Sequence, residues 1–279
     1  MKKIIYLFLM LVTMALDANA LVTVCGVTPD ESGHFDSPFI KSGSIIWDND
    51  SKTLTLDNAV VEYSTDNKND NIHPIRLTED ATIVIHGDCQ LTTNGYVAMR
   101  LQGSSSIVTI QGDGSLSLES TWYDIFVSYT QLTIKDITLK TTHEIADNSY
   151  GGGIVLTFDN VSADITGGVY RIGEGIIFEN CSITEPAGAY VDHENYGYFI
   201  AHPDGGYAYH IVISPSGNKR GDVNLDKHVD IADAVCVLNA MAGQSVAGDA
   251  NVNGDFDDKG NPVIDIADLV TVLNIMAGQ

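Results

Sequence analysis

An apolar-x-apolar triplet followed by a polar turn recurs through the first two thirds of this 279-residue chain. The first copy is Leu54-Thr55-Leu56 and the last is Ile176-Ile177-Phe178, and the final residue advances by 29, 25, 24, 24 and 20 positions between copies. A period near 24 residues is that of one solenoid coil, in which three short strands are covered only by the neighbouring coils. The intervening copies are Ile83-Val84-Ile85, Val108-Thr109-Ile110, Leu132-Thr133-Ile134 and Leu156-Thr157-Phe158.

This repeat predicts a mainly β fold for residues 21–215, namely a single-stranded parallel β-helix, or β-solenoid. A β-sandwich also has many short strands, but it gives no reason for one strand type to recur at near-constant spacing. The alternating segment from Tyr198 to Ser214 lies outside the repeat and is expected to cap an open end. Each triplet is followed by residues that favour tight turns, which are Asp57-Asn58, Gly87-Asp88, Gly112-Asp113, Asp136, Asp159-Asn160 and Asn180.

The first twenty residues have the pattern of a secretory signal peptide. Lys2 and Lys3 precede an apolar run from Ile4 to Met14, and Ala18-Asn19-Ala20 has the small residues of a cleavage site. The sequence therefore predicts a secreted protein, either released or held at the cell surface. The apolar run is shorter than the roughly 20 residues that span a bilayer, so no membrane insertion is expected.

The charge of the chain argues against a nucleic-acid partner. It has 37 acidic and 14 basic residues, a net charge of −23 and a pI near 4.3. Phosphate backbones are bound by clustered Lys and Arg, which this composition does not supply. A divalent cation such as Ca²⁺ is the expected counter-ion.

A tandem duplication with a period of 35 residues ends the chain. The segment Asp230–Gln244 returns as Asp265–Gln279 with three differences. Its apolar residues fall three or four positions apart, which predicts a helix with one apolar face in each copy. These positions are Ile231, Val235 and Leu238 in the first copy and Ile266, Val270 and Leu273 in the second. Composition changes near Pro215, so residues 216–279 are predicted to form a separate small all-α module.

The first copy opens with a 12-residue loop that resembles the calcium loop of an EF-hand. Asp222, Asn224 and Asp226 occupy positions 1, 3 and 5. Asp230 and Asp233 occupy positions 9 and 12, and position 7 would contribute the backbone carbonyl of His228. Ca²⁺ takes six to eight oxygen ligands, so this spacing predicts a calcium site.

The second loop repeats this pattern around an insertion. Asn251, Asn253 and Asp255 match positions 1, 3 and 5, and Asp265 and Asp268 match positions 9 and 12. Residues 256–262 intervene. The ligand set of this loop therefore stays open, and Asp249 or Asp257 is an alternative ligand.

The pattern Asp-Val-Asn-x-Asp-x-x-Val-Asp-x-x-Asp leading into a helix, and repeated once, resembles the type I dockerin of polysaccharide-degrading bacteria. The resemblance covers about residues 220–279 and implies a Ca²⁺-dependent module that docks onto a cohesin-like domain. Lys227 departs from it, because the family favours Gly at position 6. The pairs Ile231-Ala232 and Ile266-Ala267, at the positions linked to cohesin choice, are identical, which permits a dual docking mode or an intramolecular contact with the solenoid.

Three residues in the solenoid repeat suggest a ligand-binding surface. Arg76, Arg100 and Phe126 are each flanked by apolar residues and lie 24 and 26 positions apart, so they should stack along one exposed face, with Trp122 and Tyr123 nearby. Guanidinium and aromatic groups can bind an acidic polysaccharide through charge-assisted hydrogen bonds and ring stacking. Stacking also follows from the repeat alone.

Two other functions stay open for the solenoid. Its predicted shape has a weaker resemblance to carbohydrate-binding and pectate-lyase-like parallel β-helix proteins, so a polysaccharide lyase or glycoside hydrolase is an alternative. A lyase needs a base beside acidic Ca²⁺ ligands and a hydrolase needs paired carboxylates, and neither constellation stands out. No catalytic residue is therefore assigned, and a structural or adhesion protein is the remaining alternative.

Overall fold

The computed structural model describes residues 22–66, 71–147, 154–216, 220–226, 228–257 and 261–277. The predicted signal peptide and Lys227 lie outside these residues. The chain divides into two compact units, of which the first ends at Ser214 and the second begins at Pro215. None of the helices in the described residues is long and apolar enough to cross a bilayer.

The first unit is a β-solenoid of about four turns, as the repeat predicts. Its strands form three parallel ladders, and three long strands, Thr53–Tyr63, Val97–Gly112 and Tyr123–Lys135, bend at a corner and contribute to two ladders each. The first ladder contains β3 (Thr53–Tyr63), β5 (Ala81–His86), β7 (Val97–Gly112), β9 (Tyr123–Lys135), β12 (Val155–Asp159) and β15 (Gly175–Glu179). The second ladder adds β6 (Asp88–Thr93), β8 (Ser115–Glu119), β10 (Thr138–Thr141) and β13 (Ser162–Thr166), and the third adds β4 (Ile75–Leu77), β11 (Glu144–Asp147) and β14 (Val169–Tyr170).

Antiparallel strands lie at both ends of the solenoid. At the N-terminal end, β1 (Val22–Val24) pairs with β4 and β2 (Ile40–Asp48) pairs with β3. At the other end, β19 (His210–Pro215) pairs with β13, which is where the alternating segment was expected to act as a cap. Three more strands precede it, namely β16 (Cys181–Glu185) and the hairpin of β17 (Tyr190–Glu194) and β18 (Gly197–Ala201).

The strand register follows the triplets with one exception. Ile83 pairs with Ile110, whereas the triplets align Ile83 with Val108. The cause is a longer corner in this coil, because Leu101 to Val108 spans seven positions and the equivalent Leu77 to Ala81 spans four. A slip of two residues keeps every side chain on its own face of the strand, so the inward pattern survives.

The predicted turn residues adopt the left-handed backbone conformation at one corner of successive coils. Gly87 shows why a small residue is needed there, since a Cβ atom on it would lie 2.3 Å from Oδ1 of Asn58 in the coil before. Asparagine, aspartate and glycine are the residues that adopt this conformation at least cost. The corner residues with positive φ are Asn58, Gly87, Gly112, Asp136, Asn160 and Asn180.

The inward side chains of the coils form one continuous apolar core. Leu54, Ile83, Ile110 and Ile134 are fully buried in it, and Phe158 stacks on Phe178 with the ring centroids 5.5 Å apart. Stacked coils cover one another's inward residues, which a single coil cannot do. The core is therefore shared along the whole solenoid.

The second unit contains two helices in its described residues, α1 (Ile231–Met241) and α2 (Ile266–Met276). Asp230 and Asp265 are their N-caps, and each helix starts with a capping box completed by the aspartate three residues later. The core of this unit is small and consists of Val223, Ala234, Val237, Ala250, Val252 and Val272.

Candidate functional sites

The first predicted calcium loop folds around the buried carboxylate of Asp233. One oxygen accepts the backbone N–H groups of Val223 (2.7 Å) and Asn224 (3.0 Å), and the other accepts that of Asp230 (2.8 Å). Asp233 has no exposed surface, so these bonds and the helix N-terminus compensate its negative charge. Position 12 therefore ties the start of the loop to the start of α1.

The second loop reproduces this arrangement in spite of its insertion. Asp268 is also fully buried, and it accepts the backbone N–H groups of Asn253 (2.9 Å) and Asp265 (2.9 Å). Leu225 and Gly254, both at position 4, share a left-handed backbone. The two loops therefore have the same local geometry at positions 3, 4, 9 and 12.

The described ends of the insertion pair with each other. Phe256 and Pro262 form an antiparallel bridge, and the backbone N–H of Val263 donates to the carbonyl of Asp255 at 3.2 Å. Asp257 accepts the backbone N–H of Asn261 at 2.9 Å. Asp257 thus has a role in this pairing, while Asp265 and Asp268 form the capping box of α2, as Asp230 and Asp233 do for α1.

The oxygen atoms of the first loop suit a hard cation. Asp222 is nearly fully buried, and its Oδ1 accepts the N–H of Asp226 at 3.0 Å. The N–H of His228, followed by the side chain of Asn224, lowers the pKa of Asp226, so this carboxyl is ionised. Carboxylate, amide and carbonyl oxygens are the ligands that Ca²⁺ takes in proteins. Within the described residues, no three His, Cys, Asp or Glu side chains converge as a preformed metal cluster.

The predicted apolar faces of both helices point outward. Ile231 is 64% exposed and Ile266 is 59% exposed, whereas the small core takes Ala234, Val237 and Val272 from the other side of the helices. Helical spacing alone does not distinguish the two sides, because both carry apolar residues. The outward residues are the same in the two copies, namely Ile231, Val235, Leu238 and Met241 on α1 and Ile266, Val270, Leu273 and Met276 on α2.

Arg76, Arg100 and Phe126 lie side by side in the third ladder, in strict register. The guanidinium carbon of Arg100 is 5.2 Å from the ring centroid of Phe126, and its Nε donates to Gln102 at 3.0 Å. Phe126 was expected to be exposed, but only 8% of it is accessible because neighbouring side chains such as Arg100 and Tyr123 pack on it.

The two arginines are adjacent positive charges. Partial burial, with the nearby Arg76 as a smaller cause, lowers the pKa of Arg100. Within the described residues, neither arginine forms a salt bridge with an Asp or Glu. In a chain with 37 acidic residues, this pairing of like charges without a carboxylate favours an anionic ligand.

Aromatic rings continue from Phe126 along the same part of the solenoid. Tyr96 stacks on Trp122 with the ring centroids 5.0 Å apart, and Tyr123 contacts both Trp122 (6.1 Å) and Phe126 (5.2 Å). The phenol of Tyr123 lies near that of Tyr170 and is one of the smaller causes of the raised pKa of Tyr170. We call this set of five aromatic residues, Tyr96, Trp122, Tyr123, Phe126 and Tyr170, the aromatic belt.

The belt ends at a cleft of about 300 Å³ whose side chains carry both signs of charge. Burial, followed by the charge of Glu144, raises the pKa of Tyr170. Burial and a 3.0 Å hydrogen bond to Glu194 raise the pKa of Tyr207. Both phenols therefore stay protonated, which suits hydrogen bonding and makes them unsuitable as bases. The polar and aromatic residues that line the cleft are Glu144, Tyr170, Arg171, Tyr207 and Tyr209.

The aspartates that recur at the coil corners have structural partners. Asp136 accepts the side-chain N–H of Asn160 at 2.8 Å, and Asp159 accepts that of Asn180 at 2.7 Å. Asp113 binds Nδ1 of His86 at 2.7 Å. These contacts explain the repeated aspartates as corner residues, as the turn prediction does, without assigning them a catalytic role.

The cleft was missed by sequence reasoning. Tyr170 could have been found, because continuing the period from Phe126 by 20 and 24 positions leads through Ala146 to Tyr170, in register. Tyr207 and Tyr209 lie in the segment outside the repeat, where the period carries no information.

Searches against protein-family models, characterised proteins and solved structures found no match to this chain.

Proposed function

We propose that the protein is an exported adaptor. Its solenoid binds a polysaccharide without cleaving it, and its C-terminal unit is a dockerin-like, Ca²⁺-dependent module that docks onto a cohesin-like partner. The observation that carries the docking function is the pair of equivalent, outward apolar helix faces, each placed by a buried aspartate at the end of a calcium-like loop.

Calcium would be held by the oxygens that the loop pattern assigns. In the first loop these come from Asp222, Asn224, Asp226 and Asp233, with Asp230 at position 9 and the carbonyl of His228 at position 7. The equivalent residues of the second loop are Asn251, Asn253, Asp255, Asp265 and Asp268. A bound divalent cation would neutralise the carboxylates and fix the loop that positions each helix.

The outward faces would form the docking surfaces. Four large apolar side chains in a row on a small unit are more than scattered surface residues, and contiguous exposed patches of this kind mark protein interaction sites. Because the two faces carry nearly the same residues, a partner could bind either one. Only one face would then be needed at a time.

The glycan-binding role is supported by the arginine pair beside the aromatic belt. Arg76 and Arg100 can donate paired hydrogen bonds to a sugar carboxylate, and the belt supplies aromatic surface next to them. A non-catalytic role is favoured because the recurrent aspartates are engaged at the coil corners.

The docking function is tested with the full chain and a panel of purified cohesin domains, by calorimetry in Ca²⁺ and in EGTA. Ile231→Glu with Val235→Glu, or Ile266→Glu with Val270→Glu, should leave binding within a few-fold of normal. All four changes together should abolish it. Gln244→Glu places a similar charge on an exposed position of the same unit and serves as the control. Cohesin binding that survives the fourfold change would overturn the assignment of these faces.

The glycan function is tested on an array of acidic and neutral polysaccharides, with assays for new reducing ends and unsaturated products in the same wells. Binding to an acidic glycan that is lost in Arg76→Ala with Arg100→Ala, and that yields no product, would support the proposal. Product formation would instead make the solenoid an enzyme.

A further inference from the structure

The cleft beyond the aromatic belt has the size of a site for one sugar ring. Its volume of about 300 Å³ is at the lower end for small-ligand pockets. Tyr209 is 71% exposed beside it, and Tyr207 packs against Tyr170 with their ring centroids 6.0 Å apart. Exposed tyrosine rings around a concave surface offer apolar faces with polar edges.

Several residues around the cleft have positive φ values, which are unfavourable for residues other than glycine. Gly167 and Gly168 have φ values of +88° and +90°, and a Cβ atom on Gly168 would lie 2.5 Å from the carbonyl oxygen of Ala208. The segment that carries Tyr207 and Tyr209 therefore lies directly against the glycine pair. Arg171 has a φ of +60° although it is not glycine, and such conformations cluster at ligand sites.

The charges around the cleft argue for a ligand without net charge. Glu144 lines it and Glu194 bonds to Tyr207, so a carboxylate ligand meets two negative groups. Arg171 lies over the ring of Tyr170, with its guanidinium carbon 5.4 Å from the centroid, and would repel a cation such as a quaternary ammonium. Protonated phenols, carboxylates and a guanidinium together offer hydrogen-bond donors and acceptors. A ligand hydroxyl group both donates and accepts hydrogen bonds, so it can use both kinds of group.

We propose that this tyrosine cleft, formed by Glu144, Tyr170, Arg171, Tyr207 and Tyr209, is a subsite for one uncharged pyranose unit. The apolar face of the sugar stacks on a tyrosine ring, and its hydroxyls bond to the charged groups. This inference rests on the proposed carbohydrate binding and narrows it, because the arginine pair takes an acidic unit and the cleft takes a neutral one.

The two subsites lie on one ladder. Four strand-to-strand steps separate Arg76 from Tyr170, which corresponds to about 19 Å at about 4.8 Å per step. The belt residue Tyr123 lies between them, since it contacts Phe126 and its phenol is near that of Tyr170. A ligand that contacts both subsites would therefore have to span about 19 Å, past Phe126 and Ala146, which are buried.

The test measures binding of the full chain to a panel of neutral oligosaccharides and their uronate-containing counterparts. Tyr207→Ala with Tyr209→Ala should weaken binding of the neutral oligosaccharides at least ten-fold, while Arg76→Ala with Arg100→Ala should leave it within two-fold. Tyr209→Ala alone keeps the packed ring of Tyr207 and should still weaken binding several-fold. Tyr129→Ala removes another exposed tyrosine outside the cleft and should have no effect.

The outcomes separate this inference from the broader proposal. Acidic glycans that bind through the arginine pair, with neutral sugars that do not bind or are indifferent to the cleft variants, would overturn the cleft assignment and leave glycan binding intact. Failure of the wild-type protein to bind any glycan would overturn both. Tetramethylammonium that binds at the cleft in place of neutral sugars would reassign the cleft to a cationic ligand.

Discussion

The two units of this protein bury different chemistry at their centres. The solenoid encloses a long column of Leu, Ile, Val and Phe side chains, whereas the C-terminal unit has six small buried apolar residues and three buried aspartates, Asp222, Asp233 and Asp268. Each coil adds one layer of buried apolar side chains, so the solenoid is stabilised by its own core. A unit of about 65 residues with so small a core needs an additional source of stability.

This difference shows what stabilises each unit and which of its apolar residues are exposed. The solenoid turns most of its large apolar residues inward, with exceptions such as Ile107 and Trp122. The C-terminal unit instead exposes the larger residues of its helices, such as Ile231 and Ile266, and fills its interior with alanine and valine. A surface arranged in this way suits a partner, and an interior with carboxylates suits an ion.

The largest expected effect is the selective unfolding of the C-terminal unit on removal of Ca²⁺. In EGTA, the amide resonances of this unit should collapse towards random-coil positions while those of the solenoid stay in place, because only the C-terminal unit carries the proposed calcium loops and its own apolar core is small. Restoring Ca²⁺, but not adding Na⁺ at equal ionic strength, should reverse the change. An identical spectrum in Ca²⁺ and in EGTA would show that the C-terminal unit does not depend on the ion any more than the solenoid does.

A substitution that creates a cavity in the solenoid core should destabilise the solenoid and leave the C-terminal unit unaffected. Phe158→Ala removes a fully buried ring and should lower the free energy of unfolding of the solenoid by about 3–5 kcal/mol, with no effect on the C-terminal unit. Urea unfolding followed by separate probes in each unit measures both effects. Phe158→Leu, which keeps most of the volume, should cost clearly less.

The corner residues should contribute smaller amounts. Asn160 has a left-handed backbone and donates to Asp136, so Asn160→Ala loses the bond and retains an unfavourable φ, at a cost of about 1–2 kcal/mol. Asn160→Gly loses the same bond but tolerates the φ, and it should cost less. The order of the two midpoints in thermal unfolding checks this explanation, and equal losses would contradict it.

The smallest effect is expected at an exposed ion pair of the solenoid. The hydrogen bond from His86 lowers the pKa of Asp113 below its ordinary value of 3.8. The stability contributed by this carboxylate is therefore present above about pH 3.8 and is lost as the pH falls towards the lower folded-state pKa. In His86→Gln, the carboxyl carbon of Asp113 should titrate at higher pH by NMR, and an unchanged pKa would show that the pair does not form.

The solenoid could be predicted because its periodicity is expressed in the residues that face inward. The triplets from Leu54 to Phe178 align with the ladder except at one pair, where the corner before Val108 is longer. Corner length is decided by local backbone geometry, which hydrophobic periodicity does not report. The period therefore predicts the coil better than the register of every strand.

The sites were predictable to different degrees for the same reason. Arg76, Arg100 and Phe126 were placed together by the repeat, but their burial was not, because the rings that cover Phe126 come from other positions in the coil. The helices were expected at α1 and α2, yet helical spacing could not show which side faces the core when Val237 and Val235 are both apolar. The side that faces inward is determined by the packing of the helices in the small core.

Under the proposed glycan binding, the constant separation of neighbouring coils would set the distance between the two subsites. Each coil adds about 4.8 Å between the arginine pair and the tyrosine cleft, because each contributes one strand to the ladder between them. Inserting or deleting a whole coil between Phe126 and Tyr170 would change the length of glycan that reaches both subsites, while leaving the chemistry of each subsite as it is. Selectivity for chain length could thus evolve separately from selectivity for the sugar.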